Sequence, residues 1–434
     1  MPESFESKRV TVMGLGRFGG GVGVARFLAQ RGADVLVTDR EPADKLAESI
    51  AKLQPLIDAG QVTLRLGEHN VSDFTTCDLV VVNPAVPPGN RFVRAAQAAG
   101  VPVTTEIRLL VERLPNRLRT IGVTGSAGKS TVTAMIGHVL RKVFADFGFR
   151  ISDCGLDDAG DQGSHYSSTH PKSEIRNPKS PRVWVGGNIG GSLLERVDAI
   201  GPEDWVVLEL SSFMLERLRA DEATGFPGWS PHIAVVTNIS ENHLDWHGSM
   251  ADYVAAKWVL FDYQDTRTDV RVMGPGLHHR FQKQASHGFE GAISTPIMGF
   301  VYGRIRDSLI IPGKHNWHNA MAALHAVSIA TGHKMQEIEN TLADFPGLPH
   351  RLEFVGEYDG VKYYNDSKCT TPEAARLAVE AFAETGGEKG VGSRFTACHK
   401  ATPPPPRVKH DPPPFYPPVS PNPPPPAPPP RGGG

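Results

Sequence analysis

The sequence predicts an α/β protein built around parallel sheets. Runs typical of buried strands alternate with runs of helical periodicity, and an apolar strand, a glycine-rich turn and a helix follow one another twice, from Arg9 and again from Leu118. That alternation is typical of parallel strands joined by crossover helices. With 434 residues, of which 40% are hydrophobic and 21% charged, the chain can bury two or three cores. We therefore expect several domains.

The composition argues against several classes of protein. A formal charge of −2 leaves no surplus of Lys and Arg for a nucleic-acid or anionic-membrane surface. Cysteines at positions 77, 154, 369 and 398 form no CxxC pair, so neither a disulfide framework nor a zinc site is predicted. The N-terminus has no apolar signal core, and no run is long enough to span a bilayer. We expect a cytoplasmic protein without nucleic-acid partners or membrane insertion.

The first glycine-rich turn is GLGRFG, in which Gly14, Gly16 and Gly19 follow a predicted strand and precede a helix. Asp39 stands twenty residues after Gly19, at the end of the next predicted strand. This resembles a dinucleotide fingerprint, because glycines let the backbone approach a pyrophosphate and the acid can reach a ribose hydroxyl. The turn could bind NAD, FAD or another nucleotide diphosphate, or it could simply form a tight strand-to-helix junction. Residues 1–115 are predicted to form this Rossmann-like domain.

The second glycine-rich turn is TGSAGKST, from Thr124 to Thr131. It is shorter than the usual phosphate-loop spacing, because Val123 lies where the first glycine would be. Gly125, Gly128, Lys129 and Ser130 still supply exposed N–H groups, a cation for the β and γ phosphates and a hydroxyl for Mg²⁺. An ordinary helix cap is the weaker interpretation, since strand, loop and helix are all in place. Residues 116–343 are predicted to be a P-loop ATPase-type α/β domain.

Other candidate side chains follow apolar strands of the same domain. Glu209 ends the strand in LELSSFMLE, where open α/β sheets bind ligands. His243, Asp245 and His247 follow another strand, and Lys257 lies one helix further on. Spacing does not choose among these groups, and by spacing alone Lys257 is a solvated helix residue.

Three further segments differ in character. Residues 145–182 lose periodicity and accumulate Gly, Ser, Asp, Lys and Pro, which predicts a flexible insertion without a site. Residues 344–384 contain two strand-like runs and one helix, which predicts an incomplete third, Rossmann-like domain. Residues 385–434 are rich in proline and are predicted to be disordered. We favour a frameshifted or mispredicted end over a ligand for SH3-like or WW-like domains.

Several motifs together resemble the Mur ligase family from about Lys8 to Phe382. In chain order they are TGSAGKST, GGNIG, LELSSFMLE, NISENHLD, GKHNWHNAMAA, PHRLE and NDSKCT. The LSSF, GLG and NDSK segments are similar to the D-glutamate-adding branch. Met214 stands where that branch usually has Gln, and Asn242 where an acid often precedes the histidine.

The resemblance implies that the first turn holds the UDP part of a sugar nucleotide, without a redox cofactor. It implies that the central domain binds ATP, with Lys129 and Ser130 on the phosphates. The positions that match UDP-sugar contacts are Gly14, Arg17, Phe18, Asp39, Arg40 and Asn188. The positions that match ATP contacts are Gly125, Ser126, Ala127, Gly128, Lys129, Ser130, Thr131, Asn316, Asn319, Arg351 and Asp366.

The resemblance also implies two Mg²⁺ ions and an amino-acid site. The positions that match metal contacts are Ser130, Glu209, His243 and a carbamylated Lys257, whose oxygens would suit a hard cation. Lys368 and Thr370 match positions near the amino-acid substrate.

The implied reaction, in peptidoglycan precursor synthesis, is phosphorylation of the carboxylate of UDP-N-acetylmuramoyl-L-alanine by ATP, followed by attack of D-glutamate on the acyl phosphate. Positioning and charge neutralisation carry such a transfer. The expected catalytic residues are Lys129, Glu209, His243, Lys257 and Arg351. A monomer is expected. The alternatives are a catalytically defective UDP-sugar and ATP-binding remnant and an NAD-dependent oxidoreductase, which would not need the second phosphate loop.

Overall fold

The computed structural model describes residues 4–16, 20–146, 180–274, 277, 293–294, 300–369 and 372–383. Arg17, Phe18 and Thr370, most of the expected insertion at 145–182 and the expected proline-rich tail lie outside these residues. The chain divides into two compact units. The described residues of Met1–Glu353 and Asn365–Val391 form the first unit, and Phe354–Tyr364 belongs to the second.

The first sheet of the larger unit has five parallel strands in the order β3-β2-β1-β4-β5. Its strands are β1 Arg9–Met13, β2 Asp34–Asp39, β3 Val62–Leu66, β4 Leu79–Val82 and β5 Val103–Thr105. Every residue of β4 is buried, as expected for a strand that is covered on both faces. The strand order reverses beside β1, so the carboxyl ends of β1 and β4 flank a crevice in which α/β sheets bind ligands.

Short helices cover the first sheet. They are α1 Gly20–Ala29, α2 Ala47–Asp58, α3 Val71–Thr75, α4 Arg91–Ala98 and α5 Glu106–Val111, with a 3₁₀ turn at Ala43–Leu46. Polar side chains cap the N-termini of α3 and α4: Asn70 accepts a hydrogen bond from the N–H of Ser72, and Asn90 accepts one from the N–H of Phe92. Such caps satisfy N–H groups that have no partner inside the helix.

The second sheet has six parallel strands in the order β11-β10-β9-β6-β8-β7. Its strands are β6 Thr120–Thr124, β7 Val183–Gly187, β8 Trp205–Glu209, β9 Ile233–Val236, β10 Val270–Met273 and β11 Ile293–Ser294. β6, β8 and β9 are buried along their whole length. The carboxyl ends of β6, β8 and β9 therefore lie side by side at one edge of the sheet.

The helices around the second sheet are α6 Lys129–Asp146, α7 Ser212–Glu216, α8 Leu244–His247, α9 Met250–Asp262, α10 Phe300–Ser308, α11 Lys314–Thr331 and α12 Met335–Ile338. Short 3₁₀ turns lie at Arg117–Arg119, Leu194–Ala199 and Glu339–Leu342. α6 buries Val132, Met135, Ile136, Val139 and Leu140, a helical spacing that gives it one apolar face. That face shares a core with alanine-rich α11.

The segment after the second sheet forms a hairpin, β12 Glu353–Tyr358 and β13 Val361–Asn365, followed by helix α13 Pro372–Ala383. Within the smaller unit the ring of Phe354 meets that of Tyr364 edge to face, with centroids 5.5 Å apart. None of the helices in the described residues has the length and apolar character needed to cross a bilayer.

The predicted fold class, α/β with parallel sheets, is confirmed. The predicted domain boundaries stay a prediction. The first sheet ends at Thr105 and the second begins at Thr120, but both sheets belong to one compact unit.

Candidate functional site

The phosphate loop joins β6 to α6, and two of its positions require glycine. Gly125 has φ +149°, and a Cβ there would lie 1.9 Å from Oγ1 of Thr237. Gly128 has φ +81°, and a Cβ there would lie 2.6 Å from Oδ1 of Asn319. Both φ values disfavour residues with a side chain. The loop is therefore packed tightly against β9 on one side and α11 on the other.

Asn238, two residues after the end of β9, holds the phosphate loop in shape. Its Oδ1 accepts the N–H of Ala127 at 2.9 Å, and its Nδ2 donates to the carbonyl of Ala127 at 2.9 Å. Its own carbonyl accepts the N–H of Ser126 at 2.9 Å. The hydroxyls of Ser126 and Tyr253 are 2.9 Å apart. Sequence reasoning missed Asn238 and Tyr253, although the position of Asn238 at the end of a buried strand was a usable indication.

Lys129 opens α6 and folds back over the loop. Its Nζ donates to the carbonyls of Gly125 at 3.0 Å and Ser126 at 3.1 Å. Burial lowers the pKa of Lys129, the charge of Glu209 opposes that shift, and the charge of Arg351 adds to it. The ammonium group therefore lies against the carbonyls of the loop, and its contact with a phosphate stays a prediction.

Lys257 lies in the same place, and the spacing argument that made it a solvated helix residue is wrong. Its side chain is buried, with only 1% of its surface exposed. Its Nζ donates to the carbonyl of Gly125 at 2.9 Å and lies 3.4 Å from Oγ1 of Thr124. Burial lowers the pKa of Lys257 well below its usual value, Lys129 lowers it further, and Glu209 opposes both. Two lysines therefore converge on one loop.

Glu209 ends β8 and is 1% exposed. Its Oε1 accepts a hydrogen bond from Nδ2 of Asn188 at 3.1 Å, while its Oε2 has no hydrogen-bond partner in the described part of the chain. A buried carboxylate oxygen without a partner is costly, and a hard cation is a ligand that would satisfy it. The carboxylate oxygen of Glu209 is a ligand that fits Mg²⁺. Asn188, expected at the sugar nucleotide, contacts Glu209.

His243 is the N-cap residue that precedes the short helix α8, and its backbone is left-handed, with φ +54°. Its ring packs against Phe213, with centroids 4.9 Å apart. Burial, Lys129 and Lys257 lower the pKa of His243, and Asp245 opposes them. The imidazole is therefore biased toward the neutral form, which is the form that binds metals. His247 instead hydrogen-bonds Oγ of Ser212 at 2.9 Å.

The described residues contain no group of three or more His, Cys, Asp or Glu side chains arranged to hold a metal ion. Glu209 and His243 therefore need hydroxyl, phosphate or carbamate oxygens to complete the coordination of a cation. Among the family departures, Met214 is buried in the core, and Oδ1 of Asn242 accepts the N–H of His243 at 2.9 Å.

Arg351 reaches the phosphate loop from the segment before the hairpin. Its Nη2 donates to Oγ of Ser130 at 3.2 Å. Asp366 accepts the N–H of Leu352 at 3.2 Å, and burial raises the pKa of Asp366. Lys368 is exposed, and its N–H donates to the carbonyl of His350 at 3.1 Å. Of these residues, Arg351 makes the contact with the phosphate loop.

Asn316 and Asn319 lie on the first turns of α11 and are buried. Nδ2 of Asn316 donates to the carbonyl of Pro312 at 2.7 Å, and Nδ2 of Asn319 donates to Oδ1 of Asn316 at 3.2 Å. Asn319 also lies next to Gly128, and Asn316 is held beside Asn319.

The glycine turn of the first sheet is organised by Asp39. Its Oδ2 accepts the N–H of Leu15 at 2.9 Å and that of Gly16 at 3.1 Å, and its Oδ1 accepts the N–H of Glu41 at 2.9 Å. The carboxylate therefore shapes the turn itself, a role that the fingerprint argument did not include. Arg40 is exposed beside it.

Buried Lys257 donates to a glycine loop that lies between β8, which ends in Glu209, and β9, which is followed by Asn238. This arrangement is typical of nucleotide-binding α/β proteins of the phosphate-loop class. Comparison with known families narrows the class. The family model described as "Mur ligase MurD-like, N-terminal domain" matches residues 8–105, and the one described as "Mur ligase middle domain" matches residues 192–273.

Individual relatives indicate the same family. The UDP-N-acetylmuramoylalanine–D-glutamate ligase of Roseiflexus sp. (strain RS-1) is 35% identical over 401 residues, which cover 86% of this chain and 76% of that protein. The protein of the same name from Pelotomaculum thermopropionicum is 34% identical and covers 91% of this chain and 80% of its own. The chain belongs to the Mur ligase family.

Among solved structures, the UDP-N-acetylmuramate-alanine ligase of Thermotoga maritima is 20% identical, with a TM-score of 0.46 over 86% of this chain and 77% of that one. Family membership replaces the oxidoreductase interpretation that GLGRFG alone had left open.

Proposed function

We propose that this chain is an ATP-dependent ligase that adds D-glutamate to UDP-N-acetylmuramoyl-L-alanine. The observation that carries the proposal is the convergence of Lys129, Lys257 and Glu209 on the phosphate loop. The names of the relatives support the choice of substrates. Both substrates are small molecules. We place the reaction in the cytoplasm, where ATP and nucleotide sugars are made, and propose that a monomer carries it out.

In the proposed reaction, the loop N–H groups and Lys129 bind the ATP phosphates. The substrate carboxylate attacks the γ-phosphorus and ADP leaves, which forms an acyl phosphate. The amine of D-glutamate then attacks the acyl carbon, loses a proton and expels phosphate, so that an amide remains. Lys129 and Arg351 neutralise charge on the transferred group, which is how enzymes stabilise such a transfer.

Bound Mg²⁺ would supply further charge neutralisation on the phosphates. Ser130 and Glu209 would hold one ion, since a hydroxyl and a buried carboxylate oxygen suit a hard cation. His243 and a carbamate on Lys257 would hold the second. Gly14, Asp39 and Arg40, with Arg17 and Phe18, would bind the UDP group, while Lys368 and Thr370 would lie near D-glutamate.

The lowered pKa of Lys257 gives a physical reason for its carbamylation. Its lowered pKa leaves part of the amine neutral, so its nitrogen can attack CO₂, release one proton and become an N-carboxylate. The product carries a negative charge next to Lys129 in place of a positive one. A ¹³C NMR carbamate signal from ¹³C-bicarbonate should appear in the wild type and be missing in Lys257→Arg. Identical spectra would refute carbamylation.

The test of function is phosphate release from ATP with UDP-N-acetylmuramoyl-L-alanine and Mg²⁺, with and without D-glutamate. We expect release that depends on D-glutamate, loses at least about a hundredfold in Lys129→Ala, and is retained in Lys142→Ala. Lys142 lies on the same helix and pairs with Asp344 away from the loop. Binding of ADP and the UDP-sugar without turnover would instead favour the defective remnant. Absence of binding would refute both proposals.

A further inference from the structure

The loop after β4 in the first sheet, residues 83–88, is here called the bridging loop. Asn83 begins it against the glycine turn: its N–H donates to the carbonyl of Met13 at 3.1 Å, and a Cβ on Gly14 would lie 3.3 Å from the Cβ of Asn83. Proline at 84, 87 and 88 restricts the backbone of this loop. One end of a stiff loop therefore rests on the proposed UDP-binding turn.

Two side chains from around the second sheet hold the middle of the bridging loop. Nε1 of Trp246 donates to the carbonyl of Ala85 at 2.9 Å. Nη2 of Arg217 donates to the carbonyl of Val86 at 2.6 Å. The donors come from separate elements, α8 and the end of α7, yet they reach consecutive carbonyls of a loop more than a hundred residues away in the chain.

The same two elements carry residues of the phosphate site. Trp246 lies three residues after His243, and α7 begins shortly after Glu209. The ring of Phe213 on α7 packs against Trp246 at 4.8 Å and against His243 at 4.9 Å, measured between centroids. The bridging loop is thus attached to α8, beside His243, and to the end of α7, which follows the strand that ends in Glu209.

We propose that Trp246 and Arg217 are positioning residues that fix the bridging loop, so that a substrate bound at the glycine turn presents its carboxylate to the phosphate loop. The inference rests on the proposed function, in which one substrate must span both sheets. Transfer requires the reacting atoms to approach to about 3–3.5 Å, so a small displacement of either site is costly. Neither side chain is assigned a contact with the reacting atoms.

The test uses Trp246→Phe, which keeps an aromatic ring for Phe213 but removes the N–H. Hydrogen exchange in the peptide that spans 83–91 should become roughly three- to tenfold faster, the factor one hydrogen bond commonly supplies. The KM for UDP-N-acetylmuramoyl-L-alanine should rise by about the same factor. The KM for ATP should stay within about twofold of the wild type. Arg217→Met should act in the same direction.

Trp184→Phe is the matched control. It also removes an indole hydrogen bond of 2.9 Å, but to Asp204 at the start of β8, far from the bridging loop in sequence. It should leave exchange at 83–91 and the KM for the UDP-sugar unchanged.

The inference is overturned if exchange at 83–91 does not change in Trp246→Phe and Arg217→Met, or if Trp184→Phe changes it equally. It is also overturned if exchange rises while the KM for the UDP-sugar stays the same. Absence of wild-type turnover would refute the proposed function, whereas exchange reports on the loop without turnover, so the two failures are distinguishable.

Discussion

Lys257 owes its chemical character to residues far from it in the chain. Its ammonium group is buried, donates to the carbonyl of Gly125 and lies near Lys129. Water solvates a typical helix lysine, but here the charged form loses solvation and meets a like charge. Its pKa is lowered for both reasons, and its titration therefore affects the stability of the protein.

The direction of that effect can be worked out. In the unfolded chain Lys257 keeps its proton up to about pH 10.4, whereas in the native state it loses the proton at lower pH. Between those two pKa values the unfolded state binds more protons, so the free energy of unfolding rises with pH. Lys129, whose pKa is also lowered, contributes in the same direction.

We predict that in CO₂-free buffer, where Lys257 keeps a free amine, Lys257→Met flattens the rise in unfolding free energy between pH 7 and pH 10, measured by urea denaturation. The part due to Lys129 should remain. Lys142→Met serves as the control and should keep the wild-type dependence on pH. If the free energy of unfolding rose with pH as steeply in Lys257→Met as in the wild type, the charge of Lys257 would not destabilise the native state.

At the scale of elements, the phosphate loop depends on the close approach of β6 and β9. The site for a Cβ on Gly125 is filled by Thr237, which itself donates to the carbonyl of Ala127 at 2.6 Å. A side chain at Gly125 would therefore displace the segment that braces the loop, and would do so at a positive φ.

We predict that Gly125→Ala weakens ADP binding by at least about fivefold, because overpacking and strain of this kind commonly cost about 1–3 kcal/mol. Gly89→Ala is the control, since a Cβ at Gly89 would meet no atom within 4 Å. It should bind ADP within about twofold of the wild type. Calorimetric titration measures both, and normal affinity in Gly125→Ala would mean that the loop adapts freely.

At the scale of the whole molecule, the two sheets of the larger unit meet through side chains of α1, of α5 and of the segment between β7 and β8. Oγ of Ser192 donates to Oε1 of Glu106 at 2.6 Å, and Arg26 pairs with Glu195 at 3.5 Å. Burial raises the pKa of Glu106, while the hydrogen bond from Ser192 opposes the shift. A carboxylate at this interface therefore opposes folding when it is ionised.

The raised pKa of Glu106 determines how this group changes the free energy of unfolding with pH. Above the unfolded value of 4.5 and up to the native pKa of Glu106, the native state binds more protons, so this group lowers stability as pH rises. We predict that Glu106→Gln gains stability relative to the wild type as pH increases from 4 to 8 in urea denaturation. Glu203→Gln, at a mostly exposed carboxylate, is the control. A constant difference across this range would contradict the prediction.

The sequence by itself determined the fold class, the phosphate loop and the family. Strand, glycine turn and helix are contiguous in the phosphate loop. The residue types that they need, such as Gly125, Gly128 and Lys129, therefore lie in one short segment that can be recognised in the sequence. Motif order along the chain likewise needs no knowledge of contacts. The role of Asp39 in shaping the glycine turn after β1 was missed, because the fingerprint describes the ligand and not the backbone N–H groups that the carboxylate accepts.

Only the tertiary structure decided the surroundings of each group. The burial of Lys257, the bracing of Ala127 by Asn238 and the contacts of Trp246 and Arg217 with the bridging loop join residues more than a hundred positions apart. Solvation and charge depend on all neighbours in space, so no local pattern could predict them. The chain encodes which groups are present, and packing sets their pKa values and their partners.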